Sequence, residues 1–276
     1  MGKLYVCGTP IGNLEDASIR LIKTLRAVDM VACEDTRHTL KLLNRFKIKN
    51  KLVSYHQFSN EHKEAYIINE ILQGKDVALV SDAGMPTISD PGESLIQKAI
   101  EAGVDIEVIP GPSACTAALA ISGLDSSSFI FEGFLPNKQN RRREVLVRLA
   151  DENRTIILYE APHRLLDTLE DMQTVMGEAR TLVIARELTK KFQEIRHGSV
   201  QELIHYYEEN APRGEICILL PAVEKVIPVA DLDLIAQEIL EMMEQGIEKK
   251  EAFKKKARQY HVKKSDIYRY FLDQQL

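Results

Sequence analysis

Short apolar runs rich in Val, Ile and Leu alternate, again and again, with longer stretches of helical periodicity, and this recurrence constrains the fold more than any other feature. The first series occupies residues 4–7, 30–33, 52–53, 77–80 and 106–109. Runs that are apolar at successive positions read as strands buried on both faces of a mostly parallel sheet. Between them, residues 61–72 set Ala65, Ile68 and Leu72, with Ile67 and Ile71, along one side, the spacing of a helix packed on a sheet. A second series follows at 129–131, 155–159, 182–185, 192–196 and 216–220, separated by helix-like stretches at 141–150 and 163–175. The expected class is α/β, with two domains of about five strands each.

Pro110-Gly111-Pro112 can continue neither a helix nor a central strand, and it divides an N-terminal α/β domain, 1–111, from a second, 112–226. Another boundary falls near Ile227-Pro228. Beyond it, 227–276 forms a basic helical extension: Leu234, Ile235, Ile239, Met242 and Met243 share one helix face, and two short helices, 251–259 and 265–272, flank the turn Tyr260-His261-Val262. Ser265 is placed to cap the second of these, with Ile267, Phe271 and Leu272 facing inward.

Composition removes several function classes. No run approaches the ~18 apolar residues of a membrane helix, and the chain opens on a strand-like segment without a signal-peptide pattern, so the expected location is the cytoplasm. Cys7, Cys33, Cys115 and Cys217 are scattered and lack a C-x-x-C pair, as expected of reduced thiols; the seven histidines show no metal-ligand spacing, and no metal is expected. The net charge of −5 argues against a protein that coats nucleic acid, yet two segments are locally basic. Arg141-Arg142-Arg143 follows Lys138, and residues 249–269 carry nine Lys or Arg, among them Lys254, Lys255, Lys263 and Lys264, against two acids.

Ligands of parallel α/β sheets bind beyond the carboxyl ends of the strands, and the residues that follow each apolar run are polar and loop-forming. The first run ends in "GTPIGN", which lacks both the glycine spacing of a dinucleotide site and the Gly-Lys-Ser/Thr of a phosphate-binding loop. It reads as a rigid turn. "SDAGMPTISDPG", residues 81–92, packs two glycines, two prolines and two aspartates into twelve residues, a stiff loop with exposed amides and carboxylates. "PGPSACTAALAISG", residues 110–123, turns into a small-residue helix where Ser113 is either an N-cap or, with Ala114, a ligand contact.

Taken in order, "TPIGNL", "EDTR", "LVSDAGMPTISDPG", "PGPSA", "FEGFLP", "YEAPHR" and "ARELTK" resemble the RsmI family, the bacterial small-subunit rRNA cytidine 2'-O-methyltransferases, which are similar in turn to the tetrapyrrole methylases. The resemblance runs from about Leu4 to Ala222. It implies a two-domain methyltransferase, with S-adenosylmethionine in the cleft between the domains, a cytidine of the decoding region as target, and a homodimer. Carried over residue by residue, it puts Pro10, Asp82, Ala83, Gly84, Met85, Pro86, Ser113, Ala114, Tyr159, Glu160 and Ala161 on the cofactor wall, with Gly214 and Glu215 facing the adenine. Met85 stands where a small threonine, or an aspartate in tetrapyrrole relatives, is expected.

Methyl transfer to a ribose hydroxyl needs in-line alignment and a group that accepts the hydroxyl proton. Glu34, Asp35, His163, Glu187 and Lys190 are the candidates at polar strand ends. Asp35 or Glu187 is expected to orient or accept the proton, while Arg37, Arg164 and Lys190 bind phosphate or steady the developing charge on oxygen. Arg141, Arg142, Arg143 and the basic lysines of the extension are expected to grip rRNA phosphates. Two other readings stay open: methylation of a tetrapyrrole or small metabolite, and a mainly nucleic-acid-binding factor working through a helix-turn-helix-like extension.

Overall fold

The computed structural model describes residues 1–56, 61–223, 232–260 and 262–274, Glu61 without its side chain. Contacts divide the chain into two compact units, Met1–Val223 and Glu224–Leu276. The boundary expected at Ile227-Pro228 and the turn residue His261 lie outside the described residues.

In the first unit, strands and helices alternate as β1 (Lys3–Cys7), α1 (Ile19–Ala27), β2 (Met30–Cys33), α2 (Thr36–Arg45), β3 (Leu52–Ser54), α3 (Glu61–Leu72), β4 (Val77–Val80), α4 (Glu93–Glu101) and β5 (Asp105–Ile109). All the strand pairs are parallel, in the order β3-β2-β4-β1-β5. Every residue of β2 and β4 is buried because helices cover both faces. Leu4, Met30 and Leu79 pack on one side with Ile67, Ile71 and Leu95 of α3 and α4, and Cys7, Val31 and Val80 on the other with Leu21, Leu25, Leu42 and Leu43 of α1 and α2. Burial of each such side chain contributes about 1.5–3 kcal/mol.

The chain continues through α5 (Ala114–Ser122), β6 (Phe129–Phe134), α6 (Gln139–Leu149), β7 (Thr155–Glu160), α7 (Leu165–Met176), β8 (Thr181–Arg186), β9 (Glu194–Ser199), α8 (Val200–Glu209) and β10 (Ile216–Leu220). This sheet is mixed, in the order β6-β7-β10-β8-β9, with β10 antiparallel to both β7 and β8 and β9 antiparallel to β8. Ile216 therefore lies opposite both Glu160 and Arg186, so two strand ends and one strand start meet at one edge. Helices α6, α7 and α8 cover one face; α5 covers the other, against Ile157, Val183, Ala185 and Cys217. The strand expected at 192–196 begins instead at Glu194, because a turn occupies the preceding residues.

The helix expected at 141–150 begins earlier, at Gln139, and its arginines are not equivalent. Arg142 shares the inner stripe of α6 with Val145, Leu146 and Leu149 and is buried; its Nε donates to Asp171 Oδ2 at 2.6 Å, and Asp171 is fully buried in α7. Arg142 is thus a structural ion-pair partner and not a phosphate ligand. Arg143 also reaches Asp171, Nε to Oδ1 at 2.6 Å, with its side chain 40% exposed, whereas Arg141 is exposed.

The second unit holds α9 (Leu232–Glu244), α10 (Lys249–Gln259) and α11 (Lys264–Asp273) around Ile235, Ile239, Phe253, Ile267 and Phe271. Two expectations are corrected. Leu272 is exposed, since it follows Phe271 on the outer side of α11, and Lys263 occupies the cap position, leaving Ser265 inside the first turn. Among the described residues no helix is long and apolar enough to cross a membrane, and all four cysteines are free and buried.

Candidate active site

The loops after β1, β4 and β5 converge through two glycines. Gly8 N–H donates to Ile109 O at 2.9 Å, and Thr9 exchanges backbone hydrogen bonds with Gly84, at 2.9 and 3.1 Å. A Cβ on Gly8 would lie 2.5 Å from Met85 Sδ, and one on Gly111 would lie 2.6 Å from Gly8 O. Real side chains do not approach backbone that closely, so only glycine permits the contact. The opening loop is therefore a clamp, and it sets Ile11 into the wall of a cavity.

That cavity, about 330 Å³, lies at the edge where the strand ends of both sheets gather. The β4 loop contributes Ala83, Gly84, Met85, Ile88, Ser89 and Asp90; the start of α5 contributes Ser113 and Ala114; the second sheet contributes Tyr159, Glu160, Ala161, Gly214, Glu215 and Cys217, with Phe134 and Leu188 beside them. Size and an apolar lining with few polar groups suit a small-molecule site. Ser113 caps α5 by backbone geometry but makes no side-chain capping bond. Tyr159 is fixed by accepting from Cys115 N–H at 3.1 Å and by edge contacts with Phe131 and Phe134. Glu160 is buried and accepts from Thr168 Oγ1 at 2.6 Å and from Ala161 N–H at 2.8 Å, so its carboxylate braces the wall.

Three residues expected on the cofactor wall do not line this cavity. Pro10 and Pro86 are buried neighbours of lining residues, and Asp82 turns its carboxylate to Asp35 N–H at 3.0 Å and His38 Nδ1 at 2.9 Å, tying β2 to β4. Asp35, His38 and Asp82 bring possible ligand atoms within 4.8 Å of one another, but each is engaged in this pairing or with Arg37.

None of the expected catalytic side chains lines the cavity. Asp35 caps α2, and hydrogen bonds from the Arg37 guanidinium and backbone hold its carboxyl well below the usual range, which makes it a weak base. Arg164 is mostly buried and bonds Asn137 Oδ1 at 2.6 Å and Leu135 O at 2.8 Å, beside Glu160 at 3.3 Å; it fastens the β6 loop to β7 and is not available to a phosphate. His163 is exposed in the turn after β7. Glu187 fills the space left by Gly214, at φ +80°, where a Cβ would lie 2.1 Å from its Oε1. Burial pushes the Glu187 carboxyl up, but hydrogen bonds from Lys190 Nζ (2.7 Å) and Glu215 N–H (3.0 Å) outweigh it and hold it below its ordinary value. Lys190 is likewise bound to Glu187 and Glu215.

Three carboxylates line the cavity: Glu160 is tied to Thr168 and the Ala161 N–H, Glu215 is paired with Lys190 at 3.2 Å, and the third is Asp90. Burial, then the nearby charge of Glu34, pushes its carboxyl up to about 6; burial and Asp82 also raise Glu34. Asp90 follows two non-glycine residues with left-handed backbone, Thr87 (φ +74°) and Ser89 (φ +67°), and strain of this kind gathers at functional sites. The twelve-residue loop that contains it stands out in the sequence, but nothing local separates Asp90 from Asp82.

The profile of the tetrapyrrole (corrin/porphyrin) methylases matches residues 3–204. The chain is 42% identical, over 99% of its length and 98% of the other, to the ribosomal RNA small subunit methyltransferase I of Synechocystis. It is 49% identical to the protein of that name from Thermotoga maritima, whose whole length aligns with 81% of this chain. Among solved structures it is similar to the methyltransferase CobJ, with TM-score 0.62 and 18% identity over 81% of this chain and 95% of that one. It also resembles uroporphyrin-III-C-methyltransferase from Thermus thermophilus, with TM-score 0.57 and 20% identity over 79% and 94%. The structural likenesses establish the fold, the profile and the end-to-end relatives the lineage: the chain belongs to the tetrapyrrole methylase family and, within it, to the ribosomal RNA small subunit methyltransferase I group.

Proposed function

We propose that this chain transfers a methyl group from S-adenosylmethionine to the ribose 2'-oxygen of a cytidine in small-subunit ribosomal RNA, in the decoding region, working as a homodimer. The end-to-end match to proteins named for methylation of that RNA carries the reading. The cavity supports it. Apolar walls at Ile11, Leu188 and Ile216 suit adenine and ribose, the Ala83 and Met85 backbone and the Ser113 hydroxyl beside Tyr159 add polar groups, and Glu215 supplies a carboxylate. When bound there, S-adenosylmethionine supplies an electrophilic methyl group on a sulfonium sulfur.

The chain's own contribution is to align the hydroxyl, shield it from water and accept its proton. Asp90 takes the last role, in place of Asp35 or Glu187: it lines the cavity, and its raised proton affinity suits a base working near neutral pH. Glu34, which does not line the cavity, raises Asp90 by charge. Exposed Arg37 and Arg141, with Lys250, Lys254, Lys255 and Arg258 along the outer side of α10, are placed to meet phosphates. The decisive assay is transfer of labelled methyl to unmodified small ribosomal subunits, with a precorrin as the competing acceptor. Label in the RNA supports the reading; label in the tetrapyrrole alone overturns it.

A further inference from the structure

The chain between β8 and β9 forms a loop held at both ends and displayed at its tip. Glu187 and Thr189 take left-handed backbone at φ +51° and +64° although neither is glycine. The loop is tied internally by Lys190 N–H to Glu187 O (3.0 Å), Gln193 N–H to Lys190 O (3.1 Å) and Thr189 N–H to Gln193 Oε1 (2.7 Å). It is tied outward by Glu187 N–H to Glu215 O (2.9 Å) and by Asn13 N–H to Thr189 Oγ1 (3.1 Å). Leu188 of the same loop is buried and lines the cavity. So braced, the loop holds Lys191 and Phe192 in solvent, three and four residues beyond the cavity-lining Leu188, with 66% of Phe192 exposed and Lys191 Nζ 5.6 Å from the ring centre.

A lone exposed apolar residue is ordinary, but this one sits on a strained and braced mount, in a loop that also lines the cavity through Leu188, and next to an exposed cation. Among the described residues no carboxylate lies within ion-pairing distance of Lys191. An aromatic face beside a free ammonium is the pairing that binds unstacked RNA, where the ring takes a base and the cation a phosphate. We propose that Lys191 and Phe192 form an RNA-gripping tip near the cavity, the Phe192 ring stacking on an unpaired base of the substrate and the Lys191 ammonium meeting a neighbouring phosphate. The inference rests on the rRNA reading above.

The chain contains no tryptophan, so Phe192→Trp in the full-length protein places a single indole at the tip. Titration with an oligocytidylate should quench its fluorescence saturably. Phe192→Ala and Phe192→Leu should each weaken affinity for small ribosomal subunits about 10-fold, while Phe192→Tyr and Phe192→Trp stay close to wild type. Affinity for S-adenosylmethionine and kcat at saturating subunits should not move. Lys191→Ala should lower the salt slope of binding by about one. Wild-type affinity in the alanine variant, or full rescue by leucine, overturns the stacking role, and so does a lowered dimer mass in place of lowered RNA affinity. Absence of methyl transfer to RNA by the wild type would instead overturn the function on which the tip depends.

Discussion

Asp90→Asn should make the protein more stable and far less active. The Asp90 carboxyl is raised from 3.8 to about 6 by burial and by Glu34, so the folded state disfavours its charged form. About two units at 1.36 kcal/mol each set a ceiling near 3 kcal/mol, and the side chain's partial exposure to water cuts this to about 1–1.5 kcal/mol. Below the unfolded value of 3.8 both states are protonated and the penalty is absent; it grows as pH rises through about 6 and is complete above. The variant, which cannot ionise, should therefore unfold about 2–6 °C higher than wild type at pH 8 and equally at pH 3.5–4, in calorimetry or circular dichroism. The same change removes the proton acceptor, and kcat should fall about 10²–10⁴-fold with S-adenosylmethionine affinity little altered. Wild-type kcat should rise through pH 6 to a plateau. Unchanged kcat in Asp90→Asn, or a variant less stable at pH 8 than at pH 4 relative to wild type, would refute the assignment.

Three further perturbations probe other parts of the account. Arg142→Ala removes the buried one of Asp171's two arginine partners, with Arg143 still bonded, and should cost about 2 kcal/mol in urea unfolding, whereas Arg141→Ala should leave stability unchanged and weaken rRNA binding. Gly111→Ala puts a Cβ 2.6 Å from Gly8 O, so the loops must part; S-adenosylmethionine affinity by calorimetry should drop about 10-fold or more. Replacing Lys250, Lys254, Lys255 and Arg258 together with alanine should lower the salt slope of subunit binding by about 2–4 and spare S-adenosylmethionine affinity, a pattern that an ornamental extension would not produce.

The strands were legible because a buried run such as Val77-Ala78-Leu79-Val80 announces itself, and the cavity wall largely because it follows from glycine, proline and small residues after those runs. Direction was not legible. An all-apolar strand like Ile216-Cys217-Ile218-Leu219-Leu220 carries no mark of polarity, so its antiparallel insertion between β7 and β8 depends on the partners it finds. Arg142 was misread as surface although its spacing to Leu146 and Leu149 already placed it on the inner stripe; its partner, Asp171, is 29 residues away. Asp90 did not stand out from Asp82 in the sequence, since its raised proton affinity comes from burial, which only the assembled sheet creates, and from the charge of Glu34. Phe192 looked like the start of a strand because apolar and polar residues alternate there, and the left-handed turn at Glu187 and Thr189 delays the ladder to Glu194.

The central claim is tested most directly by supplying labelled S-adenosylmethionine and small ribosomal subunits lacking the modification, digesting the RNA and identifying the labelled nucleoside by mass spectrometry. The account predicts a single 2'-O-methylcytidine from the decoding region, lost with Asp90→Asn. Label on a base, or unlabelled RNA from an enzyme that binds S-adenosylmethionine, would contradict it.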